Sequence, residues 1–340
     1  MAVQSDVLKV GTGGVPLTRR RESLWADALR RLLRNRAAVI GGVIVFGLAL
    51  MAIFAPVIAP RTYDEQVLVD NNAIPAWMTS VFPFMKDYGR VSSDYFFGAD
   101  YVGRDLLSRA IYGARVSLTV AMVAPLISLV IGVTFGIISG FAGGRVDNLM
   151  MRIVDVLYAF PVLLFIILMM AFFRGIYSNP DPGTISYALS QADAKLGGML
   201  FIFIGIGVTA WETMARLTRG QVLSLREKEF VEAARTVGAG NGRIMSRHIL
   251  PNIIGVLIVA ETLAIPAYIA TEAFLSFIGL GVNPPTPSWG IMIADGSSTV
   301  RTYPNQVLLP ALMLAITMFA FNFLGDGLRD ALDPRLRGTQ

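Results

Sequence analysis

Residues 37–58 read AAVIGGVIVFGLALMAIFAPVI, an unbroken run without a charged side chain. As a helix rising about 1.5 Å per residue this run is roughly 33 Å long. The hydrocarbon core of a bilayer is about 30 Å thick, so one such helix crosses it. Further uncharged or nearly uncharged runs follow: Val116 to Gly144, Val156 to Phe173, Leu196 to Trp211 with Glu212 at its end, Ile249 to Ala270 interrupted by Glu261, and Gln306 to Gly325. They are too long for barrel strands and do not alternate, so helices are the expected spanning form.

Composition agrees. Hydrophobic residues make up 54% of the 340 residues and charged residues 16%. A water-soluble surface needs about a quarter of its residues charged, which argues against a soluble enzyme. The same apolar excess excludes a disordered chain. There is no cysteine and one histidine, His248. Disulfides, zinc–cysteine sites and thiol catalysis are thereby removed. No phosphate-binding loop occurs, and Gly238, Gly240 and Gly242 follow a helical pattern rather than a strand. No catalytic, cofactor-binding or metal-binding constellation can be assembled.

Lys and Arg cluster before the first run (Lys9, Arg19 to Arg21, Arg30, Arg31, Arg34, Arg36) and between the fourth and fifth (Arg216, Arg219, Arg226, Lys228, Arg235, Arg243, Arg247). With six spans these segments share one side, so both termini are expected in the cytoplasm. The first run is too long for a cleavable leader and reads as an uncleaved helix. Arg104, Arg109 and Arg115 fit the charge rule poorly and are expected to pair with Asp100 and Asp105 outside. The predicted organisation is a cytoplasmic leader over 1–36 carrying an amphipathic helix, with spans at 37–58, 116–144, 153–173, 196–215, 249–271 and 306–325. Residues 59–115 and 272–305 are placed outside, and 216–248 and 326–340 inside. The loop over 60–115 either contacts an external partner or caps the bundle. Pro125, Pro161 and Pro266 predict kinks. Gly132, Gly136 and Gly140 form a small-residue ridge suited to close helix contact. No internal repeat is visible.

The inner loop is the most informative stretch. Phe230, Ala233, Ala234 and Val237 form an apolar stripe at helical spacing, flanked by Glu227, Lys228, Glu229, Glu232 and Arg235. The Gly238–Gly242 segment breaks this helix, and Pro251 suits the first turn of the next. A short helix held below the membrane suits docking into a groove of a cytosolic protein. Glu261 and Glu272 lie 11 positions apart and so share a helix face. Two readings stand for them: they line a pathway, or they make hydrogen bonds or ion pairs inside the bundle.

Glu232-Ala233-Ala234, Gly238 and Leu250-Pro251 resemble the EAA signature of ABC importer permeases, E-A-A-x3-G-x9-I-x-L-P, with His248 in place of Ile. The chain also resembles the dipeptide/oligopeptide/nickel branch, and its "C" permease subunit in particular. Phe97-Gly98-Ala99-Asp100 with Gly103-Arg104-Asp105-Leu106-Leu107-Ser108-Arg109 is similar to that branch's external F-G-T-D-x-x-G-R-D-x-x-S-R segment. Ala159-Phe160-Pro161, Leu275 to Gly281, Pro284 to Gly290 and Gly325 to Asp330 match as well. The resemblance covers about residues 24–338. It implies an all-α integral membrane protein of the type I, MetI-like permease fold, without catalytic activity, in the cell membrane. It implies a homologous second permease, as a heterodimer, two ABC ATPases that bind ATP and Mg, an external solute-binding protein, a di- or oligopeptide substrate and no nucleic acid. ATPase coupling would fall on Glu232, Ala233, Ala234, Gly238, Leu250 and Pro251. The alternatives are a nickel or other small-solute importer permease, and a self-contained channel or ion-coupled carrier.

Overall fold

The computed structural model describes residues 24–176 and 180–332. The leader before Leu24 and the tail from Asp333, with Arg335 and Arg337, lie outside the described residues. Helix α1 (Leu24–Arg34) carries an Asp27–Arg31 pair at 2.9 Å. Its amphipathic pattern serves the protein itself, because Leu32 packs at Gly327 while Leu29 and Leu33 stay exposed. Asn35 caps α2 (Arg36–Ile53), its Oδ1 accepting from the Ala38 amide at 3.2 Å. A break at Phe54 separates α3 (Ala55–Ile58), so the predicted span at 37–58 is two pieces. Helix α4 (Met78–Val81) and a two-residue parallel pair, β1 (Ile74–Pro75) with β2 (Val91–Ser92), build the following loop.

Helix α5 (Leu106–Ala142) starts ten positions before the predicted 116. At about 1.5 Å per residue it is roughly 55 Å long and overshoots the bilayer core. The arginines that misled the boundary are neutralised in place. Arg104 Nε lies 2.7 Å from Asp100 Oδ2, Arg109 also donates to Asp100, and Arg109 reaches Asp295 at 3.3 Å. Asp105 takes a different role, capping α5 by accepting from the Ser108 amide at 2.8 Å. Arg115 donates to the Ala52 carbonyl at 2.6 Å, satisfying the end of α2.

The predicted span at 153–173 is a corrected element. Helices α6 (Gly144–Tyr158) and α7 (Val162–Ile176) bend by 79° at residues 159–161. Pro161 has no amide hydrogen and disfavours helical backbone in the residue before it, so the ladder stops there. After α8 (Ile185–Lys195), α9 (Leu200–Leu225) runs ten positions past the predicted end at 215. The connection between α9 and α12 holds α10 (Glu229–Thr236) and α11 (Asn241–Ile244). A single π turn (Met245–Ile249) leads into α12 (Leu250–Phe277), which ends six positions past the predicted 271. Helices α13 (Trp289–Ser297) and α14 (Asn305–Leu332) are the last of the described elements, α14 also outrunning its predicted end at 325. Pro125 and Pro266 sit inside the unbroken helices α5 and α12.

Among the described residues five helices are long and apolar enough to cross a membrane, and six if the bent α6–α7 pair is one span. Buried side chains of α2, α5, α12, α13 and α14 make one core, and those of α5, α7, α9 and α12 a second. Helix α5 belongs to both. Its glycine ridge faces α9 as the spacing predicts. A Cβ on Gly136 would lie 2.5 Å from the Ala215 carbonyl oxygen, and one on Gly132 2.7 Å from Met214 Cβ.

Candidate coupling helix and buried carboxylates

Helix α10 is short, and its charges favour it. Glu229 and Glu232 lie in its first turn and Arg235 in its last, each complementing the helix dipole. Its C-terminus closes in a Schellman turn. Gly238 adopts φ +81°, its amide donates to the Arg235 carbonyl at 2.9 Å, and the Ala239 amide reaches the Ala234 carbonyl at 3.0 Å. Nothing lies near the position of a Gly238 Cβ, so backbone conformation rather than space demands glycine there.

The orientation of α10 corrects the predicted stripe. Val231 and Ala234 point inward, against Ile244, Ile249, Ile253 and Val222. Phe230, at 40% exposed, and Val237, at 83%, face outward with Ala233 and Glu232. Ala234 alone of the four stripe residues is buried. Val231 was missed, since a helix of two turns offers too little periodicity to choose between two apolar faces. Leu250 and the exposed Pro251 open α12, where Pro251 occupies the first turn. In the preceding π turn the Leu250 amide donates to the Met245 carbonyl.

The helix packs on the bundle through Val231 and Ala234, beside ion pairs and hydrogen bonds among the neighbouring helices. Arg219 grips Asp147 with two bonds of 2.6 Å, and Arg226 donates to the Gly140 carbonyl at 3.2 Å. Arg235 stacks over Phe141 at 5.6 Å. Of these contacts the Arg235–Phe141 one joins α10 to α5, while the other two join α9 and the residue after it to α6 and α5.

Glu261 and Glu272 are 3% and 0% exposed. Glu261 accepts from Ser128 Oγ, and from the Tyr268 hydroxyl at 3.0 Å. Glu272 accepts from Ser276 Oγ at 2.7 Å and Ser117 Oγ at 3.3 Å. Ser117 and Ser128 are 11 positions apart on α5, as are the two acids on α12. Antiparallel packing turns the shared face into two rungs, Glu261 to Ser128 and Glu272 to Ser117. Among the described residues no group of three or more His, Cys, Asp and Glu side chains is arranged to hold a metal ion.

A model for the binding-protein-dependent transport system inner membrane component matches residues 132–338, and one for the N-terminal transmembrane domain of oligopeptide transport permease C matches 23–75. The oligopeptide transport system permease protein OppC of Bacillus subtilis is 41% identical over 94% of this chain and 93% of its own length. The dipeptide transport system permease protein DppC of the same organism is 42% identical over 93% of this chain and 87% of its own. OppC of Escherichia coli K12 is 41% identical, covering 93% and 92%. Among solved structures, the inward-facing MetNI methionine ABC transporter matches with a TM-score of 0.51 at 16% identity. That match covers 66% of this chain and 97% of the solved one, and shows a shared fold.

Proposed function

We propose, from the premise that the chain belongs to the binding-protein-dependent transport system inner membrane component family and is a membrane-embedded, non-catalytic transport permease, that it carries di- or oligopeptides in an ATP-driven importer. It forms half of the pathway with a homologous second permease, and an external binding protein delivers the peptide. Two cytosolic ATPases bind ATP and Mg and press on α10. Both termini lie on their side of the membrane.

The observation that carries the coupling role is the outward apolar face of Phe230, Ala233 and Val237 on a helix anchored by Val231 and Ala234. An exposed apolar strip with a charged rim is what a cytosolic groove covers. Glu232 supplies the rim, Gly238 fixes the turn, and Leu250 with Pro251 starts the span that follows. Glu261 and Glu272 are structural: each of their carboxylate oxygens accepts from a hydroxyl at or beside the α5–α12 seam, so they hold helices rather than meet solute.

The test is the full importer in liposomes with a tripeptide as solute. Gly238→Val forces a branched residue into the left-handed region, at a strain of about 1–2 kcal/mol. Peptide-stimulated ATP hydrolysis and uptake should both fall while the subunits still copurify. Normal stimulation in that variant would count against the coupling role.

A further inference from the structure

A third carboxylate, Glu212 on α9, accepts no hydrogen bond among the described residues, and the charge of Arg216 acts on it only through space. The 79° bend at Pro161 tips α6 away from α7 and leaves a hollow against α9. The hollow is a cavity of about 200 Å³, walled by Val156, Leu157, Phe160, Phe165 and Val208, with Glu212 and Thr209 as its polar members. Glu212 is 4% exposed and makes no hydrogen bond or ion pair among the described residues. Thr209 cannot serve it, since its hydroxyl donates to the Gly205 carbonyl at 2.9 Å. Arg216, one turn on, is engaged elsewhere: it pairs with Asp155 at 2.9 Å and stacks over Tyr158 at 4.2 Å.

A buried carboxylate without a donor is costly, and a cation delivered to it recovers that cost. The walls narrow the choice. A metal ion needs several oxygen or nitrogen ligands, and the cavity offers one carboxylate. A primary ammonium carries its own three donors and an apolar body that the walls accept. Phe160 and Phe165 add aromatic faces that favour a cation. Whole-ligand pockets run about 300–1,000 Å³, so this one holds a terminus and a single side chain.

We infer that the Glu212 cavity receives the N-terminal ammonium of a peptide together with its first side chain, preferring an apolar one. This inference rests on the peptide reading. The α-ammonium is common to all unmodified peptides, so a carboxylate can read it whatever the sequence. Apolar walls are non-directional and admit first residues of different shape.

The assembled importer in liposomes tests it with Leu-Gly-Gly, Phe-Gly-Gly and Gly-Gly-Gly, each free and N-acetylated. The ratio of free to acetylated uptake is measured in the native complex and with Glu212→Gln. The binding protein is the same in both, so its own preference cancels in the comparison. Loss of a charge-assisted contact should reduce that ratio about tenfold. A second variant, Val208→Trp, fills the cavity and should slow Phe-Gly-Gly and Leu-Gly-Gly more than Gly-Gly-Gly. Its reading stands even if Glu212→Gln fails to assemble. An unchanged ratio in Glu212→Gln, or equal slowing of all three peptides by Val208→Trp, overturns the inference. So does uniform loss of uptake in both variants, the outcome if a basic side chain of the second permease fills the cavity. Failure of the native complex to carry any of the peptides would instead sink the peptide reading.

Discussion

Helix α5 meets α9 and α12 along two seams of opposite character. Toward α9 it presents Gly132, Gly136 and Gly140, and the helices approach until a Cβ on any of the three would lie 2.5 to 3.0 Å from an atom of α9. Toward α12 it presents Ser117 and Ser128 to two buried carboxylates. Apolar surface gives helices little reason to associate in lipid, so a membrane seam needs close shape or satisfied polar groups. One helix uses both devices. The glycine seam leads through α9 into α10, and the serine seam holds α12, which leaves α10 on its far side.

The glycine seam should be the less forgiving. In Gly136→Leu the new side chain meets the Ala215 carbonyl and Thr218 Cβ, backbone-bound atoms that cannot swing away. A loss of about 3 kcal/mol is expected, read as a drop in thermal unfolding midpoint and in folded yield in detergent. A midpoint near that of the native chain would mean that the seam opens easily. The serine seam should respond in graded fashion. Glu272→Ala leaves a hole and strands the Ser117 and Ser276 hydroxyls, for about 2–3 kcal/mol. Glu272→Gln keeps the shape and an acceptor and should cost no more than about 1 kcal/mol. Equal losses in the two variants would show that charge, not hydrogen bonding, matters there. The smallest effect is expected of Glu261→Gln on peptide uptake, with KM unchanged within about twofold, since the amide oxygen still accepts from one of the Ser128 and Tyr268 hydroxyls and the other can turn to accept from the amide NH2. A larger change would move Glu261 from the seam to the pathway.

Much of the fold was legible because bilayer thickness converts uncharged length directly into spans. The boundaries were less so. The start of α5 hid behind Arg109 and Arg115: Arg109 pairs with nearby Asp100 and also with distant Asp295, and Arg115 meets the α2 carbonyls. At the candidate coupling site the turn at Gly238 and the role of Pro251 could be read locally, since both follow from backbone geometry. The face of α10 could not.

The same division runs through the carboxylates. Their spacing alone put Glu261 and Glu272 on one helix face, because helical twist is a property of the local chain. Which helix that face meets depends on antiparallel packing against α5, an interaction between segments more than a hundred positions apart. Glu212 looked like the border of a span, and the bend at Pro161 made it the floor of a cavity. Short-range sterics and transfer energy are written residue by residue. Partners across a seam are chosen by how whole helices fit, and no local window contains that choice.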